Sequence, residues 1–162
     1  MENGSLDDML QRRNNTPPLT WFDRFRITWE VATALMFLHS SKPEPIIHRD
    51  LKPANILLDR NLVSKIGDVS LSTLLPSMGD LSTMIKNTAP VGTLCYIDPE
   101  YQRTGVLSMK SDVYALGIVI LQLLTARSPM GLAHVVETAL EDGCFVDILD
   151  ASAGQWPLNE TQ

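Results

Sequence analysis

Apolar positions at three- to four-residue spacing open the chain. Leu6, Met9 and Leu10 share one face after Asn3-Gly4-Ser5, which predicts a short helix capped by one of those three residues. Residues 14–18 break the pattern, because Pro17-Pro18 cannot continue a helix. Thr20 reads as an N-cap with Asp23 in the first turn of an amphipathic helix over about 21–39. Its apolar face is expected to run Phe22, Phe25, Trp29, Ala32 and Met36, widened by Val31, Leu35 and Leu38, so Phe22, Phe25 and Trp29 are expected in the core. Short runs rich in Ile, Leu and Val at 45–48, 56–59 and 63–66 predict strands, with Asp59-Arg60-Asn61 as a turn. Residues 70–93 have no period and predict a long mobile loop. Residues 108–126 predict a helix buried on all sides, with Ser111 as N-cap and Asp112 in its first turn. A last helix is expected over about 132–141, stopping at Gly143, and residues 151–162 show no clear pattern.

The composition fits one packed globular domain: 162 residues, 44% hydrophobic, with a formal net charge of -6. The 13 basic residues are scattered, which argues against nucleic acid or an anionic membrane as partner. The longest apolar run, 113–124, is shorter than the roughly 18–20 residues of a membrane span. No secretory leader opens the chain, and Cys95 and Cys144 stand apart, so reduced thiols and a cytoplasmic location are expected. With His134 they make no zinc-ligand spacing.

The chemistry concentrates in His48-Arg49-Asp50-Leu51-Lys52-Pro53-Ala54-Asn55, which matches H-R-D-L-x-x-x-N at every fixed position. In-line transfer of a phosphoryl group needs a carboxylate to orient the acceptor hydroxyl, and Asp50 suits it. Lys52, two residues on in an extended segment, points the same way and offsets charge on the transferring group. Asn55 offers a neutral oxygen to a hard cation such as Mg²⁺. Gly67-Asp68-Val69-Ser70 stands where the same pattern has D-F-G, whose Asp chelates Mg²⁺. Val69 is expected to fill the apolar slot of the aromatic residue. Ser70 replaces the glycine and is expected to stiffen the hinge.

Gly92-Thr93-Leu94-Cys95-Tyr96-Ile97-Asp98-Pro99-Glu100 resembles G-T-x-x-Y-x-x-P-E, and Ser111-Asp112-Val113-Tyr114 with Leu116-Gly117 resembles S-D-V-[YW]-x-x-G. With these strings the chain resembles the C-terminal lobe of eukaryotic protein kinases. Glu2-Asn3-Gly4-Ser5-Leu6-Asp7-Asp8, Thr16-Pro17-Pro18-Leu19, Lys42-Pro43-Glu44-Pro45 and Pro129-Met130-Gly131-Leu132 are similar to plant receptor-like cytoplasmic kinases of the U-box-containing subgroup.

The resemblance implies a mainly α fold with short antiparallel strand pairs, 1–162 being a partial kinase domain with an activation segment at about 68–100. It implies a Ser/Thr protein kinase that uses ATP and Mg²⁺, with Asp50, Lys52 and Asn55 catalytic and Asn55 and Asp68 on the metal. Leu57 would floor the adenine while also serving as a core strand residue. His48 is expected to be a packed structural residue. Arg49 would pair with a phosphorylated loop hydroxyl, from Ser72, Thr73, Ser77, Ser82, Thr83 and Thr88. Thr93 would face the substrate, Asp112 would tie down the backbone at His48-Arg49, and Glu100 would pair with an Arg of a late helix. Implied partners are a protein substrate, an upstream receptor kinase and, only if a U-box follows, a ubiquitin-conjugating enzyme.

No G-x-G-x-x-G loop or V-A-I-K strand occurs in the sequence. The N-terminal lobe and the last C-lobe helices are therefore expected to be missing, and the isolated chain to be inactive. Two other readings stay open: a non-catalytic, pseudokinase-like binding module or decoy, and a truncated gene-model product of a U-box kinase acting as a ubiquitin ligase.

Overall fold

The computed structural model describes residues 1–75 and 89–157. Helix α1 (Leu6–Leu10) starts at Ser5, whose hydroxyl accepts from the Asp8 amide while the Asp8 carboxylate accepts from the Ser5 amide. That reciprocal pair satisfies two donors the helix end would leave orphaned. Helix α2 (Trp21–His39) uses the same device between Thr20 and Asp23.

The buried face of α2 differs from the one its aromatic residues suggest. Arg24, Ile27, Val31 and Leu35 are buried, whereas Trp29 is 75% exposed and Phe22, Phe25 and Met36 also face outward. The aromatic stripe is therefore not core. An aliphatic row at the same helical period packs instead on α4 and β3. Arg24 completes that row, which hydropathy hides. Its guanidinium donates to the Leu19 and Leu123 carbonyls and to the Asp150 carboxylate, so it is buried with its donors satisfied.

Strands β1 (Ile46–Ile47), β2 (Ile56–Leu58), β3 (Ser64–Ile66) and β4 (Thr73–Leu74) form two antiparallel pairs. In one, Ile56 faces Ile66 and Leu58 faces Ser64. In the other, Ile46 faces Leu74 and Ile47 faces Thr73. β4 thus lies inside the stretch expected to be loop. Two residues carry no readable period, and only their partner across the fold defines them as a strand.

Helix α3 (Pro99–Thr104) was also hidden in the sequence: Asp98 caps it, Pro99 opens it, and Gly105 ends it with φ 69. Helix α4 (Met109–Thr125) is capped by Ser108, with Ser111 as its third residue rather than its cap. It is not buried all round, since Val113 and Gly117 are exposed. Helix α5 (Leu132–Glu141) follows, as the sequence expects. Residues beyond it make short 3₁₀ turns at Phe145–Ile148 and Ala151–Ala153, and Trp156 is buried against them.

The main core joins α1, α2, β2 and α4 through Leu6, Ile27, Val31, Ile56, Val119 and Leu123. The fold is mainly helical, with the two strand pairs bracketing the 48–55 segment. Among the described residues, no helix is long and apolar enough to cross a membrane.

Candidate active site

The segment between β1 and β2 is held from below by one carboxylate. Asp112, 1% exposed in the first turn of α4, accepts the His48 amide at 2.8 Å and the Arg49 amide at 2.9 Å. His39 Nε2 donates to the same carboxylate at 2.9 Å. This hold matters because Arg49 sits at φ 71, a conformation that non-glycine residues rarely adopt. Gly92 presses on the same spot: a Cβ there would lie 2.6 Å from the Arg49 carbonyl oxygen.

His48 is fully buried, as a packed residue should be. Its Nδ1 accepts the Asp50 amide, so Nε2 carries the proton and donates to the Gly67 carbonyl at 3.0 Å. That bond ties the segment to the strand end that carries Asp68.

Asp50 is 7% exposed and gathers three of the expected site residues. Lys52 Nζ lies 2.9 Å from its Oδ2, and Asn55 Nδ2 donates to the same oxygen at 3.1 Å. The Thr93 hydroxyl donates to Oδ1 at 2.8 Å, and the Thr93 amide to Oδ1 at 3.1 Å. Lys52 Nζ also donates to the Thr93 hydroxyl at 2.7 Å. Burial pushes the Asp50 carboxyl up, but the Lys52 ammonium with the Thr93 and Asn55 hydrogen bonds outweighs it and holds the group below the usual carboxylate range. Asn55 closes a 3₁₀ turn over Pro53–Asn55, and its amide also donates to the Asp50 carbonyl at 2.8 Å. The amide oxygen is then the end left for a cation.

Asp68 follows β3 with φ 53, which Asp tolerates better than most residues. Its carboxylate is exposed, and the Ser70 hydroxyl donates to it at 2.6 Å. That bond is the first cause of an Asp68 carboxyl held below the ordinary range, and the Lys52 charge contributes. Ser70 is not at positive φ, so the backbone there does not need a glycine. Val69 does not fill an apolar slot: it is 62% exposed and lines a shallow groove with Trp29, Phe37 and Ile66.

The remaining expected residues lie further out. Leu57 is half-buried in the middle of β2, and Gly67 passes so close that a Cβ would meet Leu57 Cδ1 at 3.2 Å. Glu100 is exposed in the first turn of α3. Arg49 Nη2 donates to the Tyr101 hydroxyl at 3.0 Å. Of the loop hydroxyls, Ser72 donates to the His48 carbonyl at 3.3 Å and Thr73 is in β4. Ser77, Ser82, Thr83 and Thr88 lie outside the described residues.

Two contributors escaped the sequence reading: His39 beneath Asp112 and Tyr101 beneath Arg49. Each acts across more than 50 residues, and no local spacing signals its role.

Among the described residues, no group of three or more His, Cys, Asp or Glu gathers to hold a metal. Asn55 and Asp68 offer one amide oxygen and one carboxylate. Such a sparse all-oxygen set suits Mg²⁺, which keeps waters and phosphate oxygens in its shell, better than a metal that needs a full protein cage.

The chain matches the family described as "Protein kinase domain" over residues 1–155. It is 62% identical over 165 residues to U-box domain-containing protein 35 of Arabidopsis thaliana, covering 100% of this chain and 20% of that protein. It is also 62% identical to U-box domain-containing protein 52 of Arabidopsis thaliana, covering 19% of it. Its identity to U-box domain-containing protein 70 of rice, Oryza sativa subsp. japonica, is 48% over 158 residues, covering 97% of this chain and 20% of that protein. The chain therefore spans about a fifth of the length of these relatives.

Proposed function

The chain belongs to the protein kinase family, and from that premise we propose that it is the substrate-side part of a Ser/Thr protein kinase, a C-lobe that contributes Asp50, Lys52, Asn55 and Asp68 to phosphoryl transfer. The observation that carries this reading is the Asp50 carboxylate, buried and contacted at once by Lys52, Asn55 and Thr93.

ATP with Mg²⁺ supplies, when bound, the phosphoryl group and the cation that offsets its charge. Asn55 and Asp68 would hold the cation, Lys52 would meet the phosphates, and Leu57 would lie under the adenine. Asp50 has a depressed pKa and is a weak base, so its role is to accept and aim the hydroxyl of the protein substrate. The Thr93 hydroxyl, 2.8 Å from Oδ1, shows that a hydroxyl reaches this oxygen at hydrogen-bonding distance. Lys52 is the residue that Ser/Thr-specific kinases carry after H-R-D, which supports that specificity. Arg49 is proposed to receive a phosphorylated loop hydroxyl, and its Nε is buried without a partner.

The activity belongs to the longer protein of which such a chain is part. The names of its relatives support a U-box in such a protein. The proposal extends to a cytoplasmic location, an upstream receptor kinase and, through the U-box, a ubiquitin-conjugating enzyme as partner. The 162 residues alone are expected to transfer no phosphate above background, because they contain neither a Gly-rich phosphate loop nor a V-A-I-K lysine.

The test is radiolabelled phosphoryl transfer from ATP to a Ser/Thr substrate by the full-length protein, against its Asp50→Asn variant. A loss on the order of 10²–10⁴-fold in kcat with KM for ATP unchanged is expected. Full activity in the variant refutes the role of Asp50. No transfer by either protein moves the reading to a non-catalytic binding module.

A further inference from the structure

Ser70 stands where the kinase pattern has glycine, and the structure gives its hydroxyl a partner. The Ser70 hydroxyl donates to Asp68 Oδ1 at 2.6 Å, and the Ser70 amide donates to the same oxygen at 3.3 Å. Both donors fall on Oδ1, and Oδ2 receives neither. A hydrogen bond from a hydroxyl to an ionised carboxylate is short and about twice as strong as a neutral one.

The turn around this pair is anchored on both sides. The Gly67 amide donates to the Asn55 carbonyl at 2.8 Å, and the Gly67 carbonyl accepts His48 Nε2 at 3.0 Å. After the pair, the Ser72 amide closes on the Val69 carbonyl at 3.0 Å and the Ser72 hydroxyl reaches the His48 carbonyl. The backbone on either side of Asp68 is thus tied to the 48–55 segment. The side chain, exposed to water, has only Ser70 to choose its rotamer among the hydrogen bonds found here. A glycine at position 70 keeps the amide donor and loses the hydroxyl. The hydroxyl is therefore what this chain adds to the pattern.

We propose that Ser70 is a positioning residue that occupies Asp68 Oδ1 and presents Oδ2 alone to a divalent cation, making Asp68 a one-oxygen ligand that favours Mg²⁺ over Ca²⁺. This rests on the reading of Asn55 and Asp68 as a cation site. Mg²⁺ demands near-octahedral geometry at short distance and takes single carboxylate oxygens, while the larger Ca²⁺ accepts carboxylates through both oxygens. A hydrogen bond that blocks one oxygen penalises the second mode and pre-orients the first. Partners of ligating carboxylates commonly carry a tenfold to hundredfold share of metal affinity. Here water competes at an exposed site, so about three- to tenfold is expected.

The test uses Mn²⁺ as a paramagnetic stand-in for Mg²⁺ and no nucleotide. Broadening of the Asn55 side-chain amide signal is followed in the 162-residue chain during Mn²⁺ titration, then reversed with Mg²⁺ or with Ca²⁺. Wild type, Ser70→Gly, Ser70→Thr and Asp68→Asn are compared. The proposal expects Ser70→Gly to weaken Mn²⁺ binding about three- to tenfold and to move competition towards Ca²⁺. It expects Ser70→Thr to behave as wild type, because the hydroxyl is restored.

If Asp68→Asn abolishes binding while Ser70→Gly matches wild type in affinity and in Mg²⁺/Ca²⁺ preference, the role of Ser70 is overturned and the cation site survives. If wild type shows no saturable broadening with Mn²⁺ alone or with pyrophosphate added to supply phosphate oxygens, or Asp68→Asn leaves it unchanged, the cation site itself is refuted, and the Ser70 proposal with it. Unchanged amide spectra outside residues 66–72 show that the variants remain folded.

Discussion

Asp112 shows how much one buried carboxylate does here. Its two oxygens satisfy the amides of His48 and Arg49 and meet His39, and one of those amides belongs to a residue at φ 71. Replacing it with Ala orphans two amides in a nearly dry site. Each unsatisfied buried donor costs about 1–3 kcal/mol, so Asp112→Ala is expected to lose about 2–5 kcal/mol in urea unfolding. Asp112→Asn keeps one acceptor and is expected to lose less. A loss under about 1 kcal/mol for Ala would mean that water replaces the carboxylate there. The S-D-V string made Asp112 stand out in the sequence, but His39 has no such signal. It meets Asp112 only because the end of α2 passes the start of α4.

Helix α2 tests the element scale. Its residues are amphipathic on two competing faces, one aromatic and one aliphatic. A count of apolar residues favours the aromatic one, with Phe22, Phe25 and Trp29. The fold buries the row containing Ile27, Val31 and Leu35, because that row is the one α4 and β3 can reach. Ile27→Ala is therefore expected to cost about 2–5 kcal/mol in chemical denaturation, as a large buried residue does. Trp29→Ala is expected to stay within about 0.5 kcal/mol, as an exposed substitution does. The reverse order would put the aromatic face in the core. β4 teaches the same lesson in miniature, since two residues become a strand through the Ile46–Ile47 edge they meet.

At the scale of the whole molecule, Arg24 and Asp150 join parts distant in sequence. Arg24 reaches the start of α2, the Leu123 carbonyl of α4 and Asp150 of the last segment, with the Trp156 ring 5.9 Å away. Burial pushes the Asp150 carboxyl up, but Arg24 and Ser152 outweigh it and hold the group below its usual range. A folded-state pKa below the unfolded value of about 3.9 adds stability that is complete above that value and is lost as pH falls through the lower one. Asp150→Asn is expected to cost about 2–3 kcal/mol near neutral pH, less than the roughly 3–5 kcal/mol of a fully dry pair because Asp150 is partly exposed. Thermal unfolding followed across acid pH should show the wild-type and variant midpoints converging as pH falls below the unfolded value of about 3.9. A constant gap at every pH would assign the effect to packing rather than to the charge.

The sequence by itself determined helices α1, α2, α4 and α5, the strand pair made by residues 56–66, and the residue types of the 48–55 string. Each is local: a cap spans three residues, a hairpin folds on its neighbours, and a catalytic string carries its residue types in order. It also marked Ser70 as a departure, though not its consequence, since the hydrogen bond to Asp68 needs a turn that spacing alone does not specify. Tertiary structure decided which face of α2 is buried, that β4 exists, that α4 keeps an exposed side, and that Val69 stands in the open. It also decided that His39 and Tyr101 support the site. These depend on which surfaces meet across the fold, and burial, the largest favourable term in folding, is a property of those meetings rather than of any segment read alone.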